Sequence, residues 1–130
     1  MQATPFLMFQ DGKAEAAMEL YVSIFPDAEI ISVQRYGADG PGPEGTVKQA
    51  RFRIAELRIM CIDSPVAHAF AFTPSFSFFI DCEDEEQLER VHSALGEGGE
   101  MLMPLDDYGF SRRFGWLNDR YGVSWQLNLP

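Results

Sequence analysis

The chain has 130 residues, of which 46% are hydrophobic, so its length and composition fit one domain, residues 1–130, with a core of ordinary size. A formal net charge of −10 repels phosphate backbones, which disfavours nucleic-acid binding. We find no apolar run that could span a membrane and no signal-peptide pattern, so we expect a cytoplasmic protein with no membrane partner. Cys61 and Cys82 lie in predicted strands, and we expect buried, reduced thiols rather than a disulfide.

The first half of the chain predicts a strand, a helix and three further strands. Residues 6–11 form a short apolar strand that ends in Asp11, which is placed to cap the next element. Apolar residues at three- and four-residue spacing then predict a helix from Ala14 to Phe25. A connection rich in glycine and proline, residues 37–45, precedes a hairpin formed by residues 46–55 and 56–64.

The connector between the halves is unusually apolar. Residues 64–74 (SPVAHAFAFTP) include Phe70 and Phe72, although loops are normally polar and exposed. We therefore expect this segment to pack over a pocket mouth or a partner subunit. It divides the domain into module one (1–64), a connector (65–74) and module two (75–130).

The second half repeats the order of elements of the first. Residues 76–81 form an apolar strand ending in Asp81, again placed as a cap, and the acidic residues 83–86 open a helix that ends at the glycines of 96–99. A hairpin of residues 111–118 and 123–129 follows. A helix with four short strands cannot close a core alone, so the two units are expected to pack together.

The last strand carries two distinct faces. Ser124, Gln126 and Asn128 share one face by the two-residue period of a strand, while Trp125 and Leu127 lie on the other. Such a polar row either faces water or lines a cavity. The repeated arrangement of the two halves favours the cavity.

Two strand–helix–strand–strand–strand units in one short chain resemble the vicinal oxygen chelate superfamily, which includes glyoxalase I, bleomycin-resistance proteins and extradiol dioxygenases. The PhnB-like branch, also labelled 3-demethylubiquinone-9 3-methyltransferase-like, is the nearer match. The resemblance covers nearly the whole chain and is carried by residues 72–79 (FTPSFSFF), 82–86 (CEDEE), 98–99 and above all 115–126 (GWLNDRYGVSWQ). It implies an α+β fold of two βαβββ modules with curved mixed sheets around a cavity, helices outside, and a homodimer.

The resemblance also identifies the positions that hold a metal in metal-using relatives. Carried over, they fall on Gln126 in the last strand, Ser77 in the first strand of module two, and Cys61 with Asp63 in module one. Residues 4–9, which would supply the fourth ligand, contain no His, Asp, Glu or Cys. Glutamine and serine are weak metal ligands, so we expect no metal and no cofactor.

Two functional hypotheses remain open. The first is a binding protein with a metal-free cavity for a small molecule, whose ligand-binding residues we predict to be Cys61, Asp63, His68, Ser77, Arg112, Gln126 and Asn128. We expect Cys61 and Asp63 to face this cavity, and Ile62 to face the helix. The alternative is a glyoxalase- or dioxygenase-type enzyme with the non-standard ligands Cys61, Asp63 and His68.

Overall fold

The predicted α+β architecture of two βαβββ units is confirmed. The computed structural model describes all residues 1–130, and the chain divides into two compact units, unit 1 (Met1–Ala69) and unit 2 (Phe70–Pro130). Each unit contains a four-stranded mixed sheet and one helix. None of the helices is long and apolar enough to cross a membrane.

Unit 1 contains the elements β1 (Phe6–Phe9), α1 (Ala14–Ile24), β2 (Ala28–Arg35), β3 (Val47–Ile54) and β4 (Leu57–Asp63). Its sheet has the order β1-β4-β3-β2, in which β1 and β4 are parallel and the other pairs antiparallel. The apolar stripe of α1 is buried, and its Tyr21 ring lies 6.0 Å from the Phe52 ring of β3. This contact identifies the face of the sheet that α1 covers.

Unit 2 contains β5 (Phe78–Asp81), α2 (Glu85–Gly96), β6 (Glu100–Asp106), β7 (Arg113–Asn118) and β8 (Ser124–Leu129). The sheet order β5-β8-β7-β6 repeats that of unit 1, with β5 and β8 parallel. The helix α2 covers the face of the sheet on which a side chain at Gly115 would lie, because a Cβ atom at that position would be 3.2 Å from the His92 ring. Gly115 pairs with Leu127, so Trp125 and Leu127 face α2 as predicted.

The predicted helix caps are wrong. The N-cap residue of α1 is Lys13, whose side chain makes no capping hydrogen bond, and the amide of Ala14 donates instead to Asp63 Oδ1 at 2.8 Å. In α2 the cap is Asp84, whose carboxylate accepts from the amide of Gln87 at 2.8 Å. Asp11 adopts φ = 59° in the turn before α1. Each helix begins later than the strand-ending aspartate, because a turn intervenes.

The predicted turn between β7 and β8 is present and is organised by Asp119. Its carboxylate accepts from the amides of Tyr121 and Val123 and, at 2.9 Å, from Trp125 Nε1. Gly122 supplies the positive φ of 90° that the turn requires. Asp119 is thus a turn residue, and its buried side chain supports the hairpin.

Candidate functional site

The polar row of β8 lies on the face of the unit 2 sheet opposite α2. Strand register places residues of all four strands in three rows on this surface, which we call the β8 face. The first row is Asp81, Asn128, Phe114 and Asp106; the second is Phe79, Gln126, Trp116 and Met103; the third is Ser124, Asn118 and Glu100, with Ser77 just before β5.

The β8 face is large enough for a drug-sized molecule. Four strands at about 4.8 Å spacing give roughly 14 Å across the sheet, and three rows span about 13 Å along the strands. The centre of this area is aromatic and amide in character, whereas its edges carry carboxylates.

Hydrogen bonds connect the polar side chains of the β8 face in pairs. Gln126 Nε2 donates to Ser77 Oγ at 2.7 Å, and Asn128 Nδ2 donates to Asp81 Oδ1 at 2.8 Å. The half-buried Trp116 donates its indole N–H to Ser124 Oγ at 2.8 Å. These pairs hold the amide and indole groups in fixed orientations.

Two buried acceptors on the β8 face have no hydrogen-bond partner. They are Asn118 Oδ1 and Asn128 Oδ1, and the Asn128 residue is only 8% exposed. Buried polar atoms are nearly always paired, so an orphaned acceptor calls for an explanation. The two oxygens are one strand and two rows apart, so one small bound molecule that donates hydrogen bonds would satisfy only one of them.

An aromatic cluster borders the first row. Phe114 lies 5.0 Å from the ring of Phe110, 6.1 Å from that of Tyr108 and 6.3 Å from that of Phe79. Phe114 is buried, yet Phe79 and Phe110 remain 52% and 62% exposed. Exposed rings beside polar groups with fixed orientation are typical of ligand-binding surfaces.

The two predicted site residues of β4 lie on the helix-covered side of unit 1. Cys61 pairs with Ala50, which shares the face of Phe52, and Phe52 contacts α1. The expectation that Ile62 would point to the helix and Cys61 away from it is therefore wrong. The prediction placed β4 one residue out of register, and a shift of one residue exchanges the two faces of a strand.

Asp63 has a structural role in the same unit. Its two carboxylate oxygens accept from the amides of Ala14 and Val47, both at 2.8 Å, and the residue is 3% exposed. Burial raises the pKa of the Cys61 thiol to about 12, and the nearby Asp63 charge adds to this shift. Cys61 is thus a neutral thiol, and Asp63 joins α1, β3 and β4.

His68 and Arg112 also have partners within their own units. The His68 ring nitrogen Nε2 lies 2.9 Å from Ser64 Oγ, and its amide donates to Gln10 Oε1. Arg112 donates from Nε to the carbonyl of Pro130 at 2.7 Å. The neighbouring Arg113 pairs with Glu89 of α2 at 2.6 Å.

Unit 1 contains a separate cleft of about 390 Å³ near the ends of β1 and β4. Its lining consists of Gln10, Asp11, Gly12, Pro43, Thr46, Asp63, Ser64, Pro65, Val66 and Ala67. Asp63 is the only predicted site residue among them, and both of its oxygens are already bonded. This cleft is the main competitor of the β8 face as a binding site.

The donors present do not fit a divalent metal. No group of three or more His, Cys, Asp or Glu side chains is placed to hold one. Cys61 is a neutral thiol on the α1 face, and Gln126 and Ser77 are neutral groups bonded to each other. A catalytic metal needs about three good donors and an open position.

The comparisons with known proteins give the family. A family described as 3-demethylubiquinone-9 3-methyltransferase matches residues 1–128. The chain belongs to this family. A structure described as a putative 3-demethylubiquinone-9 3-methyltransferase, PhnB protein, from Bacillus cereus is 52% identical, with 100% of both chains covered and a TM-score of 0.96.

Two further relatives are more distant from this PhnB-like chain. Protein YjdN of Escherichia coli is 25% identical over 67% of this chain and 58% of its own length, so the chain spans less than two thirds of that relative. The fosfomycin resistance protein FosX of Mesorhizobium loti is 14% identical, with 100% and 91% of the chains covered and a TM-score of 0.65. That likeness shows a shared fold alone.

The sequence analysis missed the aromatic cluster and the acidic edges of the β8 face. A signal was present, since Phe79 and Asp81 alternate with buried residues along β5 in the same way as Gln126 and Asn128 along β8. Tyr108 and Phe110, by contrast, lie in the loop after β6, and no periodicity places a loop residue on a sheet face.

Proposed function

We propose that this PhnB-like protein binds a small organic molecule on the β8 face of unit 2 without the help of a metal. The observation that carries this proposal is the buried, unpaired amide oxygen of Asn128, in the same row as Phe114, whose ring contacts the exposed rings of Phe79 and Phe110. Gln126 and Ser77, at the positions where metal-using relatives have ligands, would contribute hydrogen bonds rather than Lewis acidity.

We do not propose methyltransferase activity, although the description of the family names it. Methyl donors of the S-adenosylmethionine type are commonly bound at a glycine-rich turn between a strand and a helix in a parallel sheet. The glycines of 96–99 follow α2 instead, and each sheet has only one parallel pair. The alternative of an enzyme using Cys61, Asp63 and His68 is also disfavoured by the burial and bonding of these residues.

We further infer a homodimer in the cytoplasm. Val66, Phe70 and Phe76 of the connector and its end are 56–60% exposed in the single chain, and large apolar side chains in one segment favour contact with a partner. Both cysteines are free and buried, which suits a reducing compartment. Light scattering at micromolar concentration should give twice the mass of the chain, and a monomer would contradict the inference.

The binding function can be tested with a small-molecule extract of cells. The purified protein is incubated with the extract, washed and denatured, and the released molecules are identified by mass spectrometry. We expect retention by the wild type and by Gln34→Ala, which alters an exposed amide in unit 1. Gln126→Ala should weaken retention by about 1–2 kcal/mol for one lost hydrogen bond.

Two outcomes would contradict the proposal. Either the wild type retains nothing, or Gln126→Ala retains as much as the wild type. Elemental analysis of the same preparation tests the metal-free part, because one equivalent of a transition metal per chain would be incompatible with it.

A further inference from the structure

The charges on the β8 face are all of one sign. Asp81 stands at the β5 edge, and Asp106 and Glu100 stand at the β6 edge, while the three rows contain no Lys or Arg. Arg113 pairs with Glu89 of α2, whereas Arg112, just beyond the first row, keeps its charge while it donates to the Pro130 carbonyl, so three carboxylates outnumber one arginine at this surface. The electrostatic potential over this surface therefore favours a cation.

The unsatisfied hydrogen-bonding groups of the β8 face are acceptors. Asn128 uses its amide N–H to bond Asp81 Oδ1, which leaves Asn128 Oδ1 buried and without a donor. Asn118 Oδ1, one strand and two rows away, is also buried and has no hydrogen-bond donor. A ligand that brings N–H groups to Asn128 Oδ1 removes the free-energy cost of this orphaned oxygen, whereas a ligand with only acceptors does not.

The aromatic cluster matches the same kind of ligand. Phe79, Tyr108 and Phe110 surround Phe114, which occupies the position beside Asn128 in the first row. Aromatic faces attract cations and also bury apolar groups. The ring cluster and the Asp81–Asn128 pair are thus adjacent subsites for the two ends of one molecule.

We propose that the molecule bound on the β8 face is a small organic cation that carries N–H donors and an apolar or aromatic group. The inference rests on the proposed function and names its ligand class. The ammonium N–H groups bond Asn128 Oδ1 and the carboxylate of Asp81. The apolar group packs on Phe79 and Phe114.

Three probes with the same ring and similar length test this proposal: phenethylamine, phenethyl alcohol and hydrocinnamate, which are cationic, neutral and anionic. The two tryptophans give two indole N–H signals in a nitrogen–proton NMR spectrum. Trp116 lies on the β8 face, and Trp125 lies on the opposite face, bonded to Asp119. Titration should shift the Trp116 signal and leave that of Trp125 in place.

We expect phenethylamine to bind about tenfold more tightly than the other two probes, a difference of about 1.4 kcal/mol. Asp81→Asn keeps an acceptor for Asn128 but removes the charge, so it should weaken phenethylamine binding about tenfold and leave phenethyl alcohol unchanged. Glu86→Gln, which removes the same charge from α2 on the other side of the sheet, is the matched control and should change neither.

The outcomes separate the ligand class from the binding function. If phenethyl alcohol or hydrocinnamate shifts Trp116 at the same concentrations as phenethylamine, the cation inference is wrong and the proposed binding function stands. Equal losses in Asp81→Asn and Glu86→Gln would also overturn the cation inference, since they would reflect net charge alone. If no probe shifts Trp116 at millimolar concentration, the cation inference is wrong, and retention from the cell extract alone decides the proposed binding function.

Discussion

Removing the Asp63 carboxylate should destabilise unit 1 strongly. In Asp63→Ala the amides of Ala14 and Val47, both in buried residues, lose the carboxylate that accepts their hydrogen bonds and remain buried. Each orphaned donor costs about 1–3 kcal/mol, so the expected loss is about 2–6 kcal/mol. This is a large part of the roughly 5–15 kcal/mol by which a domain is stable.

Urea unfolding followed by far-ultraviolet circular dichroism measures this loss, and hydrogen exchange at the amides of Ala14 and Val47 locates it. The control Asp39→Ala removes an exposed carboxylate from the loop between β2 and β3 and should change stability by less than about 0.5 kcal/mol. A loss below about 1 kcal/mol in Asp63→Ala, with exchange at both amides unchanged, would refute the structural role of Asp63. Asp63 would then return as a candidate ligand-binding residue.

Three further changes test other parts of the structure. Asp119→Ala removes three hydrogen bonds in the β7–β8 turn and should cost about 3–5 kcal/mol in urea unfolding, and a loss under 1 kcal/mol would contradict this. Burial raises the pKa of Cys61 from 9.0 to about 12 and of Cys82 to about 11, so only the unfolded thiols ionise just above pH 9. The free energy of unfolding should therefore be unaffected below pH 9 and fall above it by about 1.4 kcal/mol per pH unit per thiol, a slope that Cys61→Ala should reduce. Gly99→Ala drives a methyl group into a backbone carbonyl of β7 and should cost about 1–3 kcal/mol, whereas Gly37→Ala meets open space and should be neutral.

Local patterns were enough to predict the elements of this fold. The apolar spacing of α1, the acidic start of α2 and the Asp119–Gly122 turn are each determined by residues close together in sequence. All three features are present, and the strand–helix–three-strand order of both halves follows from them.

The helix caps and the faces of β4 could not be predicted in the same way. The acceptor for the start of α1 is Asp63, which is 49 residues away in the chain, and no local motif signals such a partner. The faces of β4 were inferred from the family resemblance. Because side chains alternate along a strand, an alignment that is off by one residue puts every side chain of β4 on the wrong face. Burial by α1 decides that face, and burial depends on tertiary packing.

Only part of the candidate site could be predicted, because some of its residues meet only when the strands pair. Gln126 and Asn128 were identified from alternation along β8 and Ser77 from the family resemblance, and the structure brings these three together on the β8 face. Phe114 and Asp81 are neighbours of Asn128, and Asp106 is a neighbour of Phe114, only through pairing across four strands. The β8 face is formed by the register of the four strands, which the sequence alone does not determine.

A crystal structure of the protein soaked with a mixture of neutral and cationic aromatic fragments would test the central claim most directly. The account predicts fragment density on the β8 face, in contact with Gln126 or Asn128 and with the ring of Phe79 or Phe114. Fragments bound solely in the 390 Å³ cleft of unit 1, between Gln10 and Thr46, would contradict it.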